Sequence, residues 1–319
     1  MVKDVDIRLD DLKKKLNIDL LGLVEAKSLD QVGSRILSNK NEGLTTDFEL
    51  QDLSLRIDPW TRLERVKSIF VLGMSYYWPC DFDGAYKISS YARGRDYHLV
   101  LREKIQELKE ILKETFEFSS YIQVDSGGFY EKELARLGGF GHYGKNSLII
   151  NKDLGSYFFL GLLFTSIPAS KFIYKAEIDL SSCGSCNLCK EACPTGAILG
   201  DYRVDFSKCL SYLSQKKNAS PYLNNLTYAY GCDVCQEVCP KNRGILSDVH
   251  LDFKPKILSF DDLDLASLSN KAFKKKYKDF AFAWSGKKVI ERNIKILASR
   301  GWFYVCRCFR SPDKNLWGL

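Results

Sequence analysis

The chain has 319 residues, 45% hydrophobic and 27% charged, with 47 Lys and Arg against 40 Asp and Glu for a formal charge of +7. That usage excludes a wholly disordered chain, a collagen-like repeat and a coiled coil, and the length leaves room for about two domains of roughly 150 residues. The basic excess suits a polyanionic partner without requiring one.

The opening MVKDVDIRLDDLKKKLNIDLLGL has neither the apolar core nor the cleavage site of a secretory signal. Residues 69–78 (IFVLGMSYYW) read as a buried strand, and residues 98–115 (HLVLREKIQELKEILKET) as an amphipathic helix with an apolar residue every three or four positions. A second strand is expected at 121–124 and a short helix at 130–137. This order of strands and helices argues an α/β arrangement over residues 1–170. From Val124 to Ile150 the glycines at 127, 128, 138, 139, 141 and 144 imply tight turns or close backbone approach, but neither a P-loop nor a strand-borne GxGxxG is present. Asp125 ends the second strand and opens a glycine turn, so it is either a turn residue or a carboxylate aimed into a cleft. The apolar run at 157–167 is far short of the ~20 residues that span a bilayer. A cytoplasmic protein with no membrane partner is expected.

Eight of the eleven cysteines lie between Cys183 and Cys239. Residues 183–194 read CGSCNLCKEACP, the spacing of bacterial two-cluster ferredoxins, in which the fourth cysteine serves the other cluster. A second run, GCDVCQEVCP, repeats the last three cysteines, and Cys209 is available as the missing fourth. By that logic Cys183, Cys186, Cys189 and Cys239 hold one [4Fe-4S] cluster, and Cys193, Cys209, Cys232 and Cys235 the other. Structural zinc is the alternative, but it has no need for a third cysteine at the next step followed by Cys-Pro. Cys80, Cys306 and Cys308 have no partner spacing and are expected to be inert thiols. His98, His142 and His250 show no ligand spacing either, so no histidine metal site is expected.

Residues 271–295 (KAFKKKYKDFAFAWSGKKVIERNIK) carry nine Lys or Arg among aromatic residues. They read as helices that pack inward and present a cationic face, either solvated or in contact with nucleic-acid phosphates.

Taken together, LRIDP (55–59), YARGRDYH (91–98), VDSG (124–127), GHYGKN (141–146), the first cysteine run, KCLSYLS (208–214), GCDVCQEVCPKN (231–242) and the lysine-rich C-terminal segment resemble the epoxyqueuosine reductase family over nearly the full chain. The family is similar in its core to reductive dehalogenases, which also join two clusters to a corrinoid. The VDSG and GKN pairing, the SYLS segment, the basic C-terminal helices and the missing twin-arginine signal favour the former. A dehalogenase-like enzyme acting on a small molecule and a non-catalytic electron carrier are the competing readings.

The resemblance implies an α/β (α+β) cobalamin-binding domain, an inserted ferredoxin-like two-cluster module over 171–250, and a short helical, HEAT-like region over 251–319. It implies reduction of epoxyqueuosine at the tRNA wobble position, with an external low-potential donor feeding the clusters and these reducing cobalamin, in a monomer. Asp125 would be the proton donor, its carboxyl raised by burial in the absence of a nearby cation. Cobalamin would lie against Arg56, Asp125, the hairpin from Gly141 through Lys145 and Asn146, Ser211 and the backbone at Cys232 and Asp233, with no protein histidine on cobalt. The anticodon stem-loop would meet Lys274, Lys275, Lys276, Lys287, Lys288 and Arg292. Two departures stand out: Gly128 replaces the family's usual proline, implying a more mobile loop, and the sequence lacks the further helical repeats the family usually carries.

Overall fold

A computed structural model describes residues 7–79, 84–261, 263 and 265–300. Cys80, Cys306, Cys308 and the last part of the C-terminal region lie outside the described residues.

Four strands form the central sheet: β1 (Leu20–Glu25), β2 (Ser68–Ser75), β3 (Ser120–Gln123) and β4 (Phe158–Thr165). Their spatial order is β1-β2-β4-β3, and each neighbouring pair is antiparallel. Every residue of β2 is buried because both faces are covered, which is why its sequence is a continuous apolar run rather than an alternation. Phe70, Leu72 and Met74 pack on helices α1 (Leu9–Leu16) and α3 (Tyr97–Lys113), through Leu12, Leu16, Leu101, Ile105 and Leu108. Ile69 and Val71 face the opposite way, toward Val32 and Ile36 of α2 (Asp30–Asn41) and Leu134 of α4 (Glu131–Leu137).

The strand and helix order read from the sequence is present, but the sheet is not parallel. The run at 157–167 is β4, which inserts between β2 and β3 and pairs antiparallel with both. A fully buried strand carries no alternation, so its apolar run alone did not reveal its place in the sheet.

The cysteine-rich segment is mostly loop, with helix α5 (Leu188–Ala192) and the single turns Leu210–Leu213 and Val234–Glu237. Its own apolar contacts form two small clusters: Ala197, Ile198 and Val204 pack against Cys189, Cys193, Cys209 and Cys235, and Leu210, Tyr212, Leu213, Leu223 and Leu226 pack together with Cys209 and Cys232. Polar bonds join it to the sheet. Asn242 accepts from the Ser156 amide (2.8 Å) and donates to the Ser156 hydroxyl and the Gln236 carbonyl, while Gln236 donates to the Ser156 carbonyl (3.0 Å). Gly155, at φ +56°, completes this joint, since a Cβ there would collide with the Asn242 side chain.

Helices α6 (Asn270–Lys276) and α7 (Lys287–Ala298) are the last helices among the described residues. Phe260, Phe273, Tyr277 and Phe282 share one core with Ile88 and Tyr230, so the basic segment packs on both preceding parts. Asn293, fully buried, donates to the carbonyls of Ser214 and Ala229 (2.8 Å each). Among the described residues no helix is long and apolar enough to cross a membrane.

Asn242→Ala is expected to leave the Ser156 amide unpaired and to lower stability by about 1–3 kcal/mol. A lower urea midpoint at unchanged slope in the anaerobically loaded protein would show it; an unchanged midpoint would contradict the joint's role.

Candidate active site

After β3 the chain turns sharply. Asp125 has φ +56° and Gly128 φ +80°, and Gln123 closes the turn by donating to the Phe129 carbonyl (3.0 Å) and accepting from its amide (3.2 Å). Proline cannot adopt the positive φ found at Gly128, so this form of the loop belongs to glycine.

The turn leaves the Asp125 carboxylate 63% exposed. Its Oδ2 accepts from the Tyr97 hydroxyl (2.8 Å) and lies 3.3 Å from His98 Nε2, while His98 Nδ1 lies 2.8 Å from Asp96 Oδ1. Asp96 also caps α3, accepting from the His98 amide, which places the histidine between two carboxylates. Burial pulls the His98 ring down, but the bonds to Asp125 and Asp96 outweigh it and raise its pKa to about 9. The protein packed behind its open face pushes the Asp125 carboxyl up, yet hydrogen bonds from His98 and Tyr97 hold it below the ordinary carboxylate value. The expectation of a raised Asp125 with no nearby cation is therefore corrected. His98 is the cation, on a neighbouring element 27 positions away, beyond any spacing rule.

Glu131 completes the group from below. Its Oε1 accepts from the Asp125 amide and from Gln123 Nε2 (2.9 Å each), and burial, with the Asp125 charge, pushes its pKa up to about 8. Behind the carboxylate the rings of Tyr76, Phe159, Tyr97 and His98 stack in succession at 4.0–4.3 Å.

The eight cysteines of the two runs fall into two neighbourhoods. Burial raises Cys189, and the charges of Cys183, Cys239 and Cys186 add to it; Cys239 likewise feels Cys183 and Cys186. Burial raises Cys209, with Cys193 adding, and burial pushes Cys232 up to about 12, with Cys209 adding. Cys235 feels Cys232 and Cys209, and also Cys189, so the two groups adjoin. Sulfurs so disfavoured as thiolates fit a cationic core that stabilises the deprotonated form. Among the described residues no three His, Cys, Asp or Glu side chains converge on a single-ion position.

Several residues assigned to the corrinoid also have partners within the protein. Lys145 Nζ donates to the carbonyls of Gly184 and Cys186 (2.9 Å each) and to Asn187 Oδ1 (3.0 Å), so it serves the first cysteine run. Asp233 accepts from the Ser89 hydroxyl and the Ser90 amide, which consumes its carboxylate. Gly141 is required within its own hairpin, where a Cβ would strike the Ile150 carbonyl, and Asn146 accepts from the Leu148 amide of the same turn. The Ser211 carbonyl accepts from Gln215 and Ser214. Arg56 pairs with Glu49 (2.6 Å) but keeps a buried Nε–H with no partner, and its carbonyl accepts from Tyr130 at the end of the Asp125 loop.

Seven of the eight lysines between 271 and 295 are exposed, among them Lys274, Lys275, Lys276 and Lys288. Lys287 is turned inward, donating to the Leu268 carbonyl (2.6 Å) and pairing with Glu291. Arg292 donates to the carbonyls of Lys216 (2.6 Å), Asn218 (3.0 Å) and Leu213 (3.3 Å), which ties α7 to the cysteine module rather than to an outside partner.

Residues 56–126 match the family model "Epoxyqueuosine reductase QueG, DUF1730", and residues 182–242 match "4Fe-4S double cluster binding domain". The epoxyqueuosine reductase of Lactococcus garvieae is 35% identical over 305 residues, covering 92% of this chain and 86% of the relative. The chain belongs to the epoxyqueuosine reductase family. The Staphylococcus aureus epoxyqueuosine reductase is 33% identical over 292 residues, 87% of this chain and 75% of its own length. Among solved structures, the Streptococcus thermophilus epoxyqueuosine reductase superposes with a TM-score of 0.82 at 33% identity, covering 91% of this chain and 80% of the other. An epoxyqueuosine reductase solved with an epoxyqueuosine-modified tRNA-Tyr stem loop gives 0.83 at 29% identity, with the same coverage.

Because His98 is raised from 6.5 to about 9, its bond to Asp125 stabilises the fold fully below pH 6.5 and is lost as pH climbs through about 9. Its ring proton should titrate near 9 by NMR and move toward 6.5 in Asp125→Asn. A native midpoint at the ordinary histidine value would remove the pair.

Proposed function

We propose that this chain reduces epoxyqueuosine at the wobble position of tRNA to queuosine, using two [4Fe-4S] clusters and cobalamin, with Asp125 as the group that delivers the proton. The observation that carries this reading is the exposed Asp125 carboxylate held against a protonated histidine beside a double-cluster module. A non-catalytic electron carrier has no use for such a pair. In this reading Cys183, Cys186, Cys189 and Cys239 hold one cluster, and Cys193, Cys209, Cys232 and Cys235 the other. The chain divides at 1–170, 171–250 and 251–319, with the last part a short HEAT-like region.

Bound cobalamin, supplied with electrons from an external donor through the clusters, provides the reducing power that breaks the epoxide carbon–oxygen bonds. Arg56 Nε–H, buried and unpartnered beside the Asp125 loop, suits an amide carbonyl at the corrin periphery. The Gly141–Asn146 hairpin, Ser211 and the Cys232–Asp233 backbone contribute main-chain walls.

Breaking the first bond develops negative charge on the epoxide oxygen, which must be protonated, and with two electrons and two protons in all the oxygen leaves as water when the second bond breaks. Asp125 is ionised at rest, so it relays rather than stores the proton. His98 Nε2 passes a proton to Asp125 Oδ2, and Asp125 passes it to oxygen, while Asp96 stabilises the imidazolium from Nδ1. Glu131 fixes the loop through the Asp125 amide and so keeps the carboxylate at the end of this relay. The known complex of a relative with a modified stem loop supports an anticodon stem-loop as substrate, with Lys274, Lys275, Lys276 and Lys288 meeting its phosphates.

Anaerobic reconstitution with iron and cobalt counts, followed by single-cycle turnover on epoxyqueuosine-containing stem-loop RNA, tests the whole reading. Asp125→Asn should load both cofactors and lose about 10²-fold or more in rate; an unchanged rate would reject the role. Alanine at Lys274, Lys275 and Lys276 together should weaken RNA binding and flatten its salt dependence, the slope falling by about 0.7–0.9 for each phosphate no longer neutralised. An equal affinity and slope would place the RNA elsewhere.

A further inference from the structure

Lys145 is only 9% exposed, and its ammonium is surrounded by neutral acceptors: two carbonyls and one side-chain amide oxygen, all from the segment that carries Cys183 and Cys186. A buried charge left with neutral partners is costly unless an opposite charge lies close. Four thiolates around an iron-sulfur core carry net negative charge, and each added electron makes that charge larger.

We infer that Lys145 is the buried counter-charge of the cluster held by Cys183, Cys186, Cys189 and Cys239, and that it sets this cluster's reduction potential above that of the second. This rests on the ligand sets proposed above. The second group of cysteines lies in the opposite field. The Asp233 carboxylate, buried and next to Cys232 in sequence, is held there by the Ser89 hydroxyl and the Ser90 amide. Reduction is a one-electron transfer from the external low-potential donor in which no bond forms or breaks. An ammonium in contact with the cluster loop stabilises the added charge. Lys145 thus makes the first cluster the resting place of an incoming electron, while the second remains the stronger reductant.

The test is a potentiometric titration of the anaerobically loaded full chain, followed by electron paramagnetic resonance, with the first cluster's signal assigned by its change in Cys183→Ser. Lys145→Met and Lys145→Gln should move that cluster to a more negative potential by about tenfold in its equilibrium constant, about 59 mV for one electron. The second cluster should stay in place, and Lys145→Arg should remain near the native value. A loop clamp without electrostatic effect gives a different pattern, because a loosened loop admits water and moves the potential upward. An upward or absent shift in Met and Gln, or loss of iron in all three variants including Arg, would overturn the inference. A native chain that failed to load two clusters would instead overturn the ligand sets, so the two failures are distinguishable.

Discussion

Eight thiols crowded into a segment whose own apolar clusters are small and built partly on the cysteines are the constraint on which the rest of the molecule depends. Burial raises Cys209, Cys232 and Cys235 well away from the thiolate form, and the few aliphatic residues nearby pack on the cysteines themselves. Such a segment gains its order from what the sulfurs bind and from the walls it leans on. Those walls are polar joints: Asn242 and Gln236 to Ser156, Asp233 to Ser89 and Ser90, Lys145 to the first cysteine loop, and Arg292 and Asn293 to the backbone around residues 213–218. The sheet and the C-terminal helices therefore act as a mould for the cysteine module.

The same mould places the proton machinery. β4 supplies Phe159, on which Tyr97 stacks, and α3 begins at the point that sets His98 against Asp125. An aspartate in the left-handed region is tolerated at some cost in backbone strain. Here Gln123 and Glu131 hold that geometry with four hydrogen bonds around the turn, and the result is a carboxylate pointed outward with a proton source behind it.

The legible parts of the sequence were those whose signal is local. The cysteine runs carry their chemistry in spacing, the helix at 97–113 in its apolar period, and β2 in an unbroken apolar stretch. What escaped was set by tertiary pairing. The insertion of β4 between β2 and β3 is a matter of register, and the Asp96–His98–Asp125 array joins a helix start to a strand end. The unusual placement of a histidine two residues after an aspartate at a helix start was the available hint, since such an aspartate caps the helix and orients the side chains of its first turn.

Many residues in the motifs of the family resemblance have partners of their own within the protein. GHYGKN, GCDVC and the lysine-rich segment all stand next to the cysteine module, yet Lys145, Asp233 and Arg292 each spend their polar groups on protein backbone or on serine. Physical chemistry explains the pattern. A residue that holds a loop against a neighbouring element is constrained by several partners at once, and its motif is as distinctive as that of a residue touching a cofactor. Asp125 differs because its carboxylate keeps an open face after Tyr97 and His98 are satisfied, and Arg56 because one buried N–H is left over. Unspent hydrogen-bonding capacity, more than motif membership, separates the groups free to meet a ligand from those that build its site.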